Sequence, residues 1–410
     1  MLDMTTREQK PYISLIINVL NKISTFSKSR KSFMSEAFIL FLSIKGRINF
    51  LQLGRYGTHG EQRYRQQFEK PFPFMDFNKE LVLSHGSGRY AIAFDPSYIS
   101  KSGKNTPGVG WYWSGCAGQA KWGLEIGGIA AIDVDNHTAF HLEAVQTLPD
   151  KENDRENLCS WYARILKERK DSLLAISPLL VCDAWFSKKP FVDAVLSMDM
   201  QLISRLRDDA DLRYLYQGAP TGKKGRPRKY AGKIDVSNID TKSFDLVSED
   251  QDALIHSAIV YSKSLKRNIL LARVNYKSGR DKQTIKLYFS TDLTLNPTDL
   301  IDYYRSRFQI EFLYRDAKQH TGLCHSQSRS KNKLYFHFNM ALTALNVAKV
   351  EDWLSIPKER RGAFSMTDIK TLNHNRLLLG RFFDVFGVDP NKLKNQQLFK
   401  ELIYYGTMAA

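Results

Sequence analysis

Apolar positions recur with helical spacing through the first seventy or so residues. Tyr12 to Ile23 and Ser35 to Ile44 each read as a helix, the second closing at Lys45-Gly46-Arg47. Ile48 to Lys70 reads as two short helices about a turn holding Gly57 and Gly60, before Pro71 and Pro73 break the chain. From Arg89 the period changes. Tyr90 to Phe94 is an unbroken apolar run of strand length. Because proline cannot continue a central ladder, Pro96 predicts that this strand ends at Asp95. A Gly- and Trp-rich loop is expected from about Lys104 to Gln119, then strands over Leu124 to Val134 and Thr138 to Gln146. Asn153 to Asp171 sets Leu158, Tyr162 and Leu166 on one helical face. Leu179 to Cys182 is a second short buried run and halts at Asp183. A helix over Phe191 to Met198 and a strand over Gln201 to Leu206 follow.

The order strand, strand, strand, helix, strand, helix, strand is the layout of a ribonuclease-H-like α/β core. Residues 208–283 interrupt it as a β-rich insertion, with strands over Ile255 to Tyr261 and Asn268 to Tyr276. A further strand, Thr284 to Phe289, is placed to rejoin the main sheet. The insertion opens on a Gly/Pro-punctuated cationic loop whose Gly225-Arg226-Pro227-Arg228-Lys229 resembles a short minor-groove hook. Pro297 and Asp299 start a helix expected to run on through Tyr304 to Lys318. Lys331 to Trp353 is another long helix, and the tail from Pro357 is helical and mixed in charge.

Composition narrows the class. The chain has 410 residues and a formal net charge of +17, which points to a polyanionic partner. Its apolar runs fall short of the roughly 20 residues a membrane span needs. The amino terminus has no signal-peptide pattern, and the four cysteines are scattered, so neither disulfides nor a zinc site is expected. The expectation is a cytoplasmic protein that meets nucleic acid and no membrane. Arg63 and Arg65, on the second short helix, suit a helix-turn-helix reader of DNA, against the plainer reading of a basic helical cap.

Tyr304, Arg307, Glu311 and Lys318 stand at offsets 0, 3, 7 and 14. On a continuous helix all four fall within an arc of roughly 60°. Their flanks, Ile301, Phe308 and Phe312 on one side and Tyr303, Ile310 and Tyr314 on the other, are apolar or aromatic. A charged stripe between apolar shoulders suits a face turned into a cleft, although Arg307 and Glu311 also make an ordinary i,i+4 pair. Ligands of open sheets gather at the carboxyl ends of strands. Asp95 and Asp183 belong there if their strands are adjacent, and Asp133 and Asp135 compete with Asp95 for the first position. With Glu311 they make three carboxylates, a hard-oxygen donor set for Mg²⁺. Two such ions about 4 Å apart serve in-line displacement at phosphorus. Arg307 and Lys318 are placed for flanking phosphates, and Tyr304 for a base or a phosphate.

These residues resemble the insertion-sequence transposases of the Asp-Asp-Glu type, and more narrowly the group marked by Tyr-x2-Arg-x3-Glu-x6-Lys. Every spacing of that signature is met by Tyr304, Arg307, Glu311 and Lys318, and Asp183 sits in a segment, Val181 to Ser187, like the family's second-Asp segment. The resemblance covers about residues 35–350. It implies a catalytic and metal-binding triad of Asp95, Asp183 and Glu311 holding two Mg²⁺, with Mn²⁺ able to substitute. DNA contacts are then expected at Tyr304, Arg307, Lys318, Arg226, Arg228, Lys229, Arg63 and Arg65. It implies cleavage at the ends of a mobile element and transfer of the freed 3′-hydroxyl into target DNA. A homodimer on paired ends, in a prokaryotic, nucleoid-associated setting, goes with it. The division expected is a helical DNA-binding domain (1–80), catalytic core (81–207 and 284–355), β-rich insertion (208–283) and helical C-terminal region (356–410). Relatives hold a flipped base on a Trp of the insertion. This chain has no Trp between Trp185 and Trp353, and Tyr276, Tyr288 or Phe289 offers an aromatic face instead. The competing readings are a catalytically silent DNA-binding relative and a nuclease with the same core.

Overall fold

The computed structural model describes residues 10–23, 26–148, 157–218, 228–277, 284–389 and 392–408. Helices α1 (Lys10–Ile23), α2 (Lys28–Ser43), α3 (Phe50–Tyr56), α4 (Glu61–Gln67) and α5 (Phe74–His85) come first. Ser27 and Asn49 accept backbone N–H groups at the starts of α2 and α3, which fixes where those helices begin. Strands β1 (Tyr90–Ser100), β2 (Gly110–Ser114), β3 (Gln119–Asp133) and β4 (Thr138–Gln146) follow. Then come α6 (Leu158–Lys167), α7 (Lys170–Leu174), β5 (Leu179–Val181), α8 (Lys189–Leu196) and β6 (Gln201–Leu206). The next stretch holds β7 (Leu212–Leu215), β8 (Tyr230–Lys233), β9 (Asp245–Glu249), β10 (Ala253–Ser262), β11 (Arg267–Tyr276) and β12 (Thr284–Ser290). Helices α9 (Pro297–Ser306), α10 (Gln309–His320), α11 (Lys331–Ser355), α12 (Met366–Phe386) and α13 (Leu393–Tyr404) close the chain.

The strands form one mixed sheet in the order β2-β3-β1-β5-β6-β12-β11-β10-β7-β8, with β4 beside β3 and β9 beside β10. β12 pairs β6 on one side and β11 on the other, so the strands of residues 208–283 extend the main sheet rather than forming a separate one. The architecture is α/β. Among the described residues no helix is long and apolar enough to cross a membrane.

Three local expectations change. β1 does not stop at Asp95; it runs through Pro96 to Ser100. Its ladder to β5 ends at Ala93↔Val181, and beyond that point β1 is paired only with β3. A strand with one free edge tolerates proline where a central strand does not. The Gly- and Trp-rich loop is in part a hairpin, β2 paired with the first residues of β3. The helix expected over Asn153 to Asp171 is capped by Asn157 and breaks after Lys167 into α6 and α7; residues 153–156 lie outside the described residues.

Among the described residues β4 pairs only with β3, so its other edge needs partners for its backbone groups. Side chains of the buried helix α11 supply them. Asn339 accepts from Ala144 N (2.7 Å) and donates to Ala144 O (2.9 Å). Asn346 does the same for His141, at 3.0 and 2.7 Å. Asn78 of α5 donates to Leu142 O (3.0 Å) and accepts from Asn346 (2.8 Å). Lys349 donates to Ala139 O (2.6 Å), and its burial lowers its pKa to about 8. Each asparagine stands in for a missing strand. Asn339→Leu strands two backbone groups in the core, at about 1–3 kcal/mol each. The urea midpoint of Asn339→Leu should therefore fall well below that of the unsubstituted chain, and an unchanged midpoint would show that water fills the gap.

Candidate active site

β1 and β5 are parallel neighbours, with Ile92 opposite Leu180 and Ala93 opposite Val181. Asp95 and Asp183 each lie two residues past that last pair, so the register alone puts the two carboxylates side by side at the sheet's rim. Asp183 leaves its strand and caps the turn Ala184–Phe186, accepting from Trp185 N at 2.9 Å. Ser204 of β6 donates to Asp183 O at 2.8 Å and fixes the exit from the strand.

The stripe Tyr304 to Lys318 is not one regular helix. α9 ends at Ser306 and α10 begins at Gln309. Between them the backbone tightens: Phe308, Ile310 and Glu311 each donate to the carbonyl three residues back. One shoulder also differs from expectation. Ile301, Tyr303, Ile310 and Tyr314 are buried, but Phe308 is 47% exposed and packs edge-on against Phe312. The polar residues still meet. Arg307 pairs with Glu311 at 3.0 Å, and its own side chain is largely buried while that of Glu311 stays open. Lys318 reaches β1, donating to Ser97 Oγ at 2.9 Å. Tyr304 packs against Tyr288, the rings tilted to each other with centroids 4.8 Å apart.

A second clamp joins α10 to β1. The hydroxyl of Tyr314 donates to Asp95 O at 2.6 Å. Gly128, opposite Asp95 on β3, makes room for it, since a Cβ there would lie 1.8 Å from that hydroxyl. Tyr314, Gly128 and Ser97 carry no mark in the sequence that separates them from core residues; only the register reveals them.

Burial is the largest influence on Asp95 and raises its pKa to about 7. Arg307 and Lys318 pull it down; Asp183 and Glu311 push it up. These five groups therefore share one electrostatic neighbourhood. Burial opposes the charge of Arg307, yet Asp95, Tyr304 and Glu311 hold its pKa above the usual value. The Nε atoms of Arg307 and of Arg205, on β6, are buried without a hydrogen-bond partner among the described residues. Arg205 was not singled out in the sequence. Among the described residues no three carboxylate, His or Cys side chains close tightly enough to form a ready metal cage. Glu311 is instead held by Arg307, and Asp183 by its turn. The donor chemistry nevertheless fits a hard divalent cation: three carboxylates, one of them made costly to ionise by burial and by the other two.

The other expected DNA contacts lie on separate elements. Arg63 and Arg65 are exposed on α4, where Arg65 pairs with Glu61 and covers Phe50. Arg228 lies over Tyr216, Lys229 is exposed, and Arg226 lies outside the described residues. Tyr288 and Phe289 are buried and cannot offer a face to a base; Tyr276 is part-exposed and near Tyr288 through its hydroxyl. Sequence reading also missed a cavity of about 700 Å³ at the carboxyl end of α10, where Lys45, Arg47, His320, His325 and Lys370 converge with no carboxylate in the lining. Burial lowers the pKa of Lys370 there to about 7.

Comparison with curated proteins returns no match. Comparison with protein families does: residues 91–347 match the family described as "Transposase DDE domain". The match spans most of the chain and runs from the start of β1 into the second half of α11. It takes in Asp95, Asp183 and Glu311, the three carboxylates that the register and the α9–α10 turn bring to one rim. The chain belongs to the DDE transposase family.

Proposed function

We propose that the protein cuts DNA at the ends of its own mobile element and joins the freed 3′-hydroxyl to target DNA, using Asp95, Asp183 and Glu311. The observation that carries the reading is the in-register placement of Asp95 and Asp183 within charge reach of Glu311, Arg307 and Lys318. The order β4-β3-β1-β5-β6, antiparallel at one end and parallel through the middle, supports a ribonuclease-H-like core. Mg²⁺, or Mn²⁺ in its place, would be held by the three carboxylates and would supply Lewis acidity at the attacking and leaving oxygens. Arg307 and Arg205 offer buried N–H groups to phosphate oxygens, which repay the desolvation of a guanidinium better than water can. Lys318 places a further cation beside β1. Arg63, Arg65, Arg228 and Lys229, and the cationic cavity below α10, are surfaces for more distant phosphates. A homodimer on paired ends belongs to the same reading. Leu378, Phe382, Val385 and Phe386 form an exposed apolar face on α12, of the kind a second copy covers.

The direct test uses purified protein with a DNA fragment spanning its gene and several hundred flanking base pairs, in Mg²⁺ or EDTA, with new 3′ ends mapped. Discrete Mg²⁺-dependent cuts at inverted repeats are expected. Glu311→Gln should lower cutting by more than the ~10–100-fold typical of losing an outer-shell partner. Specific binding without cutting, unchanged by Glu311→Gln, would favour a silent DNA-binding relative.

Two further outcomes follow from the geometry. Gly128→Ala should drive the Tyr314 hydroxyl off Asp95 O and displace the carboxylate, for a loss of about 100-fold in cutting with the circular dichroism preserved. Full activity in that variant would mean that the clamp does not position Asp95. In EDTA, the folded-state pKa of Asp95 lies above its unfolded value, so its contribution to stability is present at low pH and lost as pH rises towards about 7. Asp95→Asn removes that loss. The thermal midpoint of Asp95→Asn should therefore gain on the unsubstituted chain as pH rises from about 4 to 7. A pH-independent difference would contradict the burial of Asp95 beside the other carboxylates.

A further inference from the structure

The β2–β3 hairpin carries three exposed tryptophans. Trp111 is 70% exposed, Trp113 65% and Trp122 38%. Residues two apart on a strand share a face, and Trp111 lies opposite Trp122, so all three rings belong to one side of the ribbon. Tyr112, on the other side, is turned into the body and donates to Gly108 O at 2.8 Å and Thr147 O at 3.3 Å. Trp122 is pinned by its indole N–H to Gly103 O at 3.0 Å, and Trp111 stands edge-on against it at 5.8 Å. The platform thus has one fixed ring and two open ones.

The hairpin's own stretch is cationic, with Lys121, opposite Tyr112, on the face away from the tryptophans. Residues 100–124 contain Lys101, Lys104 and Lys121 and no Asp or Glu. At the root of the hairpin, Lys101 lies within charge reach of Arg329 and Arg47. The register gives its place relative to the carboxylates. Asp95 is opposite Gly128 and Ser100 opposite Gly123, so β3 runs six residues from the Asp95 level to Trp122, about 20 Å. That is about six nucleotides of a stacked strand at 3.4 Å each. Beyond Gly123, β3 is paired with β2 alone.

We propose that Trp111, Trp113 and Trp122 form a stacking platform for unpaired nucleobases. Open aromatic faces on a hairpin whose stretch carries lysines and no carboxylate to repel phosphate are what binding of single-stranded nucleic acid requires and what an aqueous surface disfavours. The inference rests on the transposase reading only in taking DNA as the polyanion, and its test needs no cleavage.

The experiment measures anisotropy of a fluorescein-labelled 20-nucleotide oligo-dT in EDTA with the full chain carrying Glu311→Gln. Trp111→Ala/Trp113→Ala in that background should weaken oligo-dT binding about tenfold or more. Binding to a duplex of equal length should change far less. Trp111→Phe/Trp113→Phe should restore most of the single-strand affinity, because a phenyl face still stacks. Equal oligo-dT affinity in the alanine variant and its parent overturns the proposal. So does a variant that changes oligomeric state while keeping oligo-dT affinity, since the platform would then face a second copy. Failure of the DNA-cutting test with unsubstituted protein would leave this binding result standing.

Discussion

Carboxylates that share a cleft repel one another, and much of this molecule is arranged around that fact. Asp95 and Asp183 are brought together by backbone pairing, which their charges cannot undo. Burial first, and the neighbouring carboxylates after it, raise the pKa of Asp95 to about 7. Glu311 is brought to the same rim from a different layer and arrives already paired with Arg307. The tightened turn between α9 and α10 has a role in this. It sets Arg307 on one side of a break and Glu311 on the other, so the guanidinium is buried while the carboxylate remains accessible. Arg307 and Lys318 are the cations that face Asp95. The same guanidinium keeps one buried N–H without a partner among the described residues.

Such a site needs a rigid floor, and the sheet edge provides it. β4 would otherwise present open backbone groups to the core. Asn339, Asn346, Asn78 and Lys349 close it with hydrogen bonds that tolerate little displacement. α11 is thereby locked to the sheet, and α10 packs against both, with Tyr314 and Leu313 buried. The Tyr314 hydroxyl then carries that rigidity to the backbone of Asp95 itself.

The sequence was most legible where residues of one kind recur at a fixed spacing. Tyr304, Arg307, Glu311 and Lys318 stand out because their offsets set them on one helical face between apolar and aromatic flanks. Asp183 stands out because it ends a short apolar strand. The reading of Pro96 as a strand stop was reasonable and mistaken, since whether proline is tolerated depends on a neighbour's length, and β5 is only three residues long. The α9–α10 turn leaves no trace in a period count, because both halves keep helical dihedrals. The cationic cavity joins residues from 45 to 370, a juxtaposition that no window along the chain contains. The missing insertion Trp was legible, but its suggested substitutes were not testable without burial: Tyr288 and Phe289 are spent on the core.

β3 links the chemistry to the surface beyond it. Its fifteen residues pair in turn with β2, β1 and β4, so one strand sets the Asp95 level, seats the Tyr314 clamp at Gly128 and carries the tryptophan face outward. A slip of one residue in its register with β1 would turn every side chain to the opposite face. It would put a Cβ-bearing neighbour under Tyr314 or move Asp95 off the rim. Register is specified here by Gly123, Gly127 and Gly128, each of which faces an aromatic ring closer than a Cβ allows. Those three glycines are therefore packing determinants rather than sources of flexibility. The distance between the carboxylates and the exposed tryptophans is set by the strand they share.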